Sequence, residues 1–403
     1  IKKPFMTGLS SSRWPIVVMA IGSGILAAGA VGKAPPAVSL LREEYSLGLV
    51  YAGWILSVLS ALGMVAGTGF GTLADRLGPR TVLLGGLWIQ AIAGTLAVLS
   101  ESASILLITR LLEGAGFLAV AVSAPGIIFA ASSSGVRVWS LGLWSINVPV
   151  GISLAMIFAA LTLETIGWRG VWLFYVVLIS ALAILGHQIL PRERGFASRE
   201  PSTTSPMPVL RRLGPWLLAG SFIAYTMMWI SIMAWLPTYL INHQGLVSGT
   251  ASLLSAAVVA ANVPGNLLGT WLLRRQWSGG TIVALSSIGM GLSTYIVFSG
   301  QFGDVLRYGF CMVFSFVGGL LPAAILGTSR LHAPDSQRIG TVNGMIIQGS
   351  HLGQFVGPPV VAMIVTIHGQ WQDVRWFMVG CALVALILAV ALHRVERRQA
   401  WPE

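Results

Sequence analysis

The chain is 403 residues long, 55% hydrophobic and only 9% charged, whereas soluble proteins carry about 25% charge. That composition excludes a soluble globular core, because uncharged runs repeatedly reach or approach the roughly 20 residues that span a bilayer. The formal net charge of +11 does not indicate a nucleic-acid partner: the basic residues fall mainly in short loops on alternate sides of the apolar runs, which is the positive-inside pattern of membrane proteins.

Twelve spans are predicted, over 14–37, 46–74, 81–100, 103–131, 137–163, 169–190, 213–240, 247–273, 279–299, 303–330, 338–367 and 373–394. All are expected to be α-helices, since the backbone must satisfy itself in lipid. No cleavable signal peptide is evident, and the chain opens on Ile1 rather than on a methionine. With the N-terminus placed in the cytoplasm, 18 Lys and Arg residues fall on that side and four on the other, with Lys33 and Arg110 inside spans. Both termini are therefore expected in the cytoplasm of a multi-pass inner-membrane protein. The polar stretch 191–212 contains Pro201-Ser202-Thr203-Thr204-Ser205-Pro206. It can bury no face and reads as a cytoplasmic linker. The expected organisation is a six-helix bundle over 1–190, the linker over 191–212 and a second six-helix bundle over 213–403.

Between spans two and three lies Gly71-Thr72-Leu73-Ala74-Asp75-Arg76-Leu77-Gly78-Pro79-Arg80. Its charges belong at the water interface, and it reads as a charged loop. A weaker copy, Gly269-Thr270-Trp271-Leu272-Leu273-Arg274, follows 198 residues later with Leu273 in place of Asp75. The first copy resembles the G-x-L-A-D-R-x-G-R signature of the major facilitator superfamily of transporters, with Pro79 at a usually basic position and Arg80 one place later. Arg110-Leu111-Leu112-Glu113-Gly114-Ala115-Gly116, Gly167-Trp168-Arg169 and Gly353-Gln354-Phe355-Val356-Gly357-Pro358-Pro359 resemble further motifs of that family in helices four, six and eleven. The ensemble also resembles the cyanate- and nitroimidazole-permease-like branch. The resemblance implies an all-α polytopic membrane protein of twelve transmembrane helices in two pseudo-symmetric six-helix bundles. It implies that Gly71, Asp75, Arg76, Gly78 and Arg80 form a conformational latch. Asp75 is then expected near Gln337–Gly340, where the dipole of helix eleven favours a carboxylate.

Charges inside spans are expensive and face a partner or a cavity. Arg110 and Glu113 are three residues apart on one helix face. They read either as a mutually neutralising pair or as a solute site with Arg110 toward the cavity. Lys33, beside Pro35-Pro36, either snorkels to the interface or contacts solute. His351 can change protonation near neutral pH, or it is a buried neutral histidine paired to another helix. Asn147, Asn262 and Gln348 are polar residues at comparable depth, and Gln354 accompanies them. Amides of this kind often simply bond across helices. Pro264 and Gly265 loosen span eight, so its carbonyls could face solute. Tyr225 and Trp229 read as packing or as a cavity wall.

The glycine repeats Gly67-x-x-x-Gly71, Gly265-x-x-x-Gly269 and Gly349-x-x-x-Gly353-x-x-x-Gly357 permit close helix approach. The resemblance places helices two and eleven at a sliding seam.

The expected activity is secondary active transport of a small polar or anionic organic solute by alternating access. Coupling to protons is expected through Glu113, with His351 as the alternative carrier. A multidrug exporter is the second reading, although Asn147-Val148-Pro149-Val150-Gly151 lacks the glycine pair of that group's helix-five motif. A non-transporting membrane sensor is the third. No metalloprotease motif, P-loop or nucleophile elbow is present, so neither an enzyme nor an ATP-driven pump is expected, and no metal or cofactor is called for. The expected partners are a small-molecule solute, a proton and membrane lipid, with the chain acting as a monomer.

Overall fold

The computed structural model describes residues 13–133, 136–192, 206–335 and 338–400. Among these, eleven helical stretches are long and apolar enough to cross a membrane. One of them, Asn147–Ile189, is 43 residues long and contains a break at Gly167, where φ is 65° and ψ is 176°. A helix of that length would reach about 65 Å, twice a bilayer, so the break divides it into two crossings and the total is twelve. We number them α1 (Trp14–Glu44), α2 (49–77), α3 (Pro79–Val98), α4 (Ala103–Ala131), α5 (147–166), α6 (168–189), α7 (Leu213–Gln244), α8 (Ser248–Arg274), α9 (Gly279–Phe298), α10 (Asp304–His332), α11 (Ile339–His368) and α12 (Trp371–Arg397). The face where α1 begins and α12 ends is called the terminal face.

Local sequence sets the breaks. Span five does not run from 137: a short helix, Arg137–Ser145, ends before α5 starts at Asn147. Pro149 then sits in the first turn of α5, where a missing N–H costs least. Span eight divides at Ala261, between Ser248–Ala260 and Asn262–Arg274. There Pro264 cannot donate to the carbonyl four residues before it. The stretch expected as a charged loop is mostly helix. It continues through Leu77, and the turn is Gly78 alone, with φ 85°. Glycine adopts that conformation without the Cβ clash that other residues suffer.

α1 to α6 form one bundle and α7 to α12 the other. The bundles meet along α2 with α11 and along α5 with α8. Most of the linker, 193–205, lies outside the described residues. Each bundle closes on itself through backbone contacts at small residues, as expected where lipid supplies no hydrophobic drive between helices. A Cβ at Gly114 would strike the Leu59 carbonyl of α2, and one at Gly265 the Phe316 carbonyl of α10. The glycine ladder of α11 differs from its expected place. Gly349, Gly353 and Gly357 pack on α7 at Ala219, Ile223 and Met227, inside their own bundle. On the seam, the glycines belong to α2: Gly53 meets Pro358 and Pro359, Gly63 meets His351, and Gly67 meets Gln348. Exposed side chains such as Val65, Ile108, Val177 and Ile387 are apolar and cover the lipid-facing sides.

Both bundles use a buried or half-buried arginine on the face opposite the termini. Arg169 Nε donates to Val98 O at 3.1 Å, closing the end of α3. Arg307 Nε donates to Val297 O at 2.8 Å, closing the end of α9. Cations at a helix C-terminus are favoured by its dipole and by its free carbonyls. The Gly167-Trp168-Arg169 motif acts here. Gly167 makes the turn, Trp168 Nε1 donates to Glu44 at 2.6 Å, and Arg169 pairs with Glu44 at 2.6 Å.

Candidate solute and coupling site

The sequence predicts the Arg110–Glu113 pair, and the two side chains are in contact. The site contains more than that pair. Lys33 Nζ lies 2.5 Å from Glu113 Oε1, so one carboxylate sits between two basic side chains. The relative exposures of Lys33, Glu113 and Arg110 are 2%, 1% and 0%. Lys33 therefore does not snorkel to the interface. The reason is local: α1 breaks at Lys33, ahead of Pro35 and Pro36, and the break points the side chain into the bundle, where Glu113 receives it.

The cluster is anchored on all sides. Arg110 Nη1 donates to Ala30 O at 2.7 Å and Nε to Ile55 O at 3.3 Å, tying α4 to α1 and α2. Gln90 of α3 donates to Glu113 O at 3.2 Å and to Ala27 O at 3.3 Å. The Lys33 nitrogen stands 4.6 Å from the Trp172 ring centroid and 5.7 Å from that of Tyr175, both on α6, distances at which a ring face attracts the nitrogen whenever it is charged. Arg110 Nη2 has no hydrogen-bond partner although it is buried. A guanidinium donor left unpaired in a low-dielectric interior costs free energy. The arrangement can therefore donate one further hydrogen bond to an anionic or carbonyl oxygen.

The second bundle has an uncharged counterpart. Asn262 Nδ2 donates to Ser315 O at 3.0 Å and to the Tyr225 hydroxyl at 3.3 Å. Trp229 Nε1 donates to Ser315 Oγ at 3.2 Å. Phe222, Tyr225 and Trp229 stack along α7 with centroids 5.7 and 6.4 Å apart. Asn262 O packs against Gly319 of α10.

The remaining sequence-predicted residues separate from these clusters. His351 and Gln348 lie on the α2–α11 seam, where Ser60 Oγ donates to Gln354 Oε1 at 3.1 Å across the two bundles. His351 is buried and its Nδ1 has no partner. Asn147 packs against Gly24 of α1. In the latch stretch, Arg80 Nε donates to Leu190 O at 2.9 Å and Nη2 to His187 O at 3.2 Å. It thus closes the end of α6 inside its own bundle and does not reach toward α11. Arg76 is exposed. The side chain of Asp75, the surroundings of Gly71, and Gln337, expected to meet Asp75, lie outside the described residues.

Sequence reasoning missed the Lys33–Glu113 pair, the Trp172 and Tyr175 wall, and Ser315. One signal was available. The chain has three lysines, of which Lys2 and Lys3 are at the N-terminus and only Lys33 falls in a span, while the other 21 basic residues are arginines.

The family model of the Major Facilitator Superfamily matches residues 19–358. The chain belongs to that superfamily. Among similar proteins is the multidrug efflux pump LfrA of Mycolicibacterium smegmatis, 27% identical over 265 residues, covering 65% of this chain and 45% of that protein. The tetracenomycin C resistance and export protein of Streptomyces glaucescens is 26% identical over 381 residues, covering 91% and 64%. The probable nitrate transporter NarT of Staphylococcus epidermidis is 21% identical over 376 residues, covering 90% and 92%. The chain thus spans about half to two thirds of these two drug-export relatives and nearly all of the nitrate one. The fold matches a crystal structure of a bacterial homolog to the human lysosomal transporter Spinster in an inward-facing, occupied conformation. The TM-score is 0.80 at 15% identity, covering 98% of this chain and all of that one.

Proposed function

We propose that this superfamily member is a secondary transporter, not an enzyme, that carries a small polar or anionic organic solute across the inner membrane by alternating access, coupled to protons. The observation that carries the reading is the buried cluster of Lys33, Arg110 and Glu113, with an unpaired donor on Arg110. A guanidinium matches the geometry of a carboxylate or another planar anion. Similarity to a nitrate transporter along nearly its whole length supports an anionic cargo. The two-bundle architecture supports alternating access, since bundles that meet along a few helix pairs can rock about a site between them. The 18-to-4 distribution of basic residues supports cytoplasmic termini.

Export of apolar drugs is the second reading. It is favoured by the Phe222–Tyr225–Trp229 stack and by similarity to efflux and resistance proteins. A thermal-shift screen of the purified protein against organic anions and lipophilic cations separates the two. Stabilisation by anions supports the first reading, and stabilisation by cations alone replaces it with the second.

A further inference from the structure

Proton coupling requires a group that gains and loses a proton as the site fills and empties. Sequence reasoning selects Glu113, but its surroundings argue against it. Its two oxygens already have partners, the Lys33 nitrogen on Oε1 and the Arg110 guanidinium on Oε2, so a proton arriving there would displace one of them. Arg110 cannot release its proton in a protein. The third member can, because lysine exchanges its proton readily when buried.

We propose that Lys33 is the proton carrier, a neutral amine when the cluster is empty and an ammonium when an anion sits on Arg110. This rests on the transport reading above and names the coupling group of that same site. The argument is charge balance. With Lys33 neutral, Arg110 and Glu113 cancel; with Lys33 protonated, a net positive charge lies in a fully buried site. An uncompensated buried charge is strongly unfavourable. An anion arriving at the free Arg110 Nη2 supplies the missing negative charge, so anion and proton enter together. One proton is taken up by the Lys33 amine, no covalent bond to solute forms, and release of the anion returns the proton.

The titratable and charged groups facing Lys33 are Glu113 and Arg110 from α4 and Tyr175 from α6, with the Trp172 ring beside them. From α5, the Ile152 backbone and Ala155 approach the preceding Gly32 and bring no charge. Lys33 stands where α1 divides between Trp14–Gly32 and Ala34–Glu44. Arginine at this position would hold a permanent charge. The chain uses arginine at 21 of its 24 basic positions and keeps a lysine here.

The test needs no knowledge of the solute. The full chain labelled with 15N at lysine side chains gives at most three Nζ resonances, and Lys33→Arg identifies the one of interest. In solute-free protein at neutral pH, the Lys33 signal is expected at the amine position while Lys2 and Lys3 remain ammonium. Arg110→Gln removes the competing cation, so Glu113 requires the lysine charge and the signal is expected to move to the ammonium position. Glu113→Gln removes the carboxylate, so the signal is expected to stay amine. The two variants err in opposite directions, so a folding defect in one leaves the other decisive. An ammonium signal in the solute-free wild type, or in Glu113→Gln, overturns the proposal. If no anion is transported, the transport reading fails, and these resonances still report the protonation of Lys33.

Discussion

The two bundles are built alike at their ends and differently in their middles. At the face opposite the termini, Arg169 closes α3 and Arg307 closes α9 in the same manner. At the terminal face, the corresponding joint is made with reversed polarity. Arg80, at the start of α3, donates to the last carbonyls of α6. Glu396, near the end of α12, accepts from Gly280 N at the start of α9 at 3.0 Å. Cation on a helix C-terminus and anion on a helix N-terminus are both favoured by the helix dipole, so either solution holds the joint. The middles have no such equivalence. The first bundle holds Lys33, Glu113 and Arg110; the second holds Asn262, Ser315, Tyr225 and Trp229, with no charge among them. The ends are what a helical bundle needs to close in lipid. The middles are where the halves have specialised, one for charge and the other for an aromatic, hydrogen-bonding surface.

The comparison can be broken most severely at Glu113. Glu113→Ala leaves the buried Arg110 guanidinium without its carboxylate, and loss of one member of a buried ionic group costs about 3–5 kcal/mol. Thermal unfolding in detergent should show it as a large drop, partly restored by the second change Arg110→Met. In the second bundle, Asn262→Ala removes two hydrogen bonds and leaves the Ser315 carbonyl with one partner fewer, an expected cost of about 1–3 kcal/mol in the same assay. Gly63→Ala sets a methyl against the His351 ring on the seam. Overpacking of this kind costs about 1–3 kcal/mol when the neighbour cannot move, and exchange of solute should slow more than stability falls. The smallest effect is expected from Ser60→Ala, which removes one hydrogen bond between the bundles. A change of about 1 kcal/mol should appear as altered accessibility of single-cysteine labels on the two faces, with little change in unfolding.

Much of the fold was legible because apolar runs of bilayer length leave few alternatives, and because Gly167 and Gly78 mark turns that only their backbone freedom permits. The division of span eight at Ala261 lies beside Pro264 and Gly265, where the sequence marks a loosening, whereas the break at Ile146 was not foreseen, since it lies inside an apolar stretch and depends on where Pro149 settles in a turn. In the site, the i,i+3 spacing made Arg110 and Glu113 legible on a single helix. Lys33 lies 80 residues from its partner, and no periodicity links positions on different helices. The glycine ladder of α11 shows a further limit. Spacing tells that a helix will approach another closely, but whether the neighbour is α7 or α2 depends on the rotation of the helix about its axis, which the repeat does not encode.

Uptake in proteoliposomes tests the central claim, that the charged cluster of the first bundle is the solute anchor, most directly. A panel of small organic anions and nitrate is offered to wild type, Arg110→Lys and Arg110→Ala under an inward-acid pH gradient. The account predicts uphill accumulation of at least one anion by wild type, a reduced rate in Arg110→Lys because the planar donor pair is lost while the charge remains, and none in Arg110→Ala. Equal anion uptake by wild type and a folded Arg110→Ala variant, or transport of lipophilic cations alone, would contradict it.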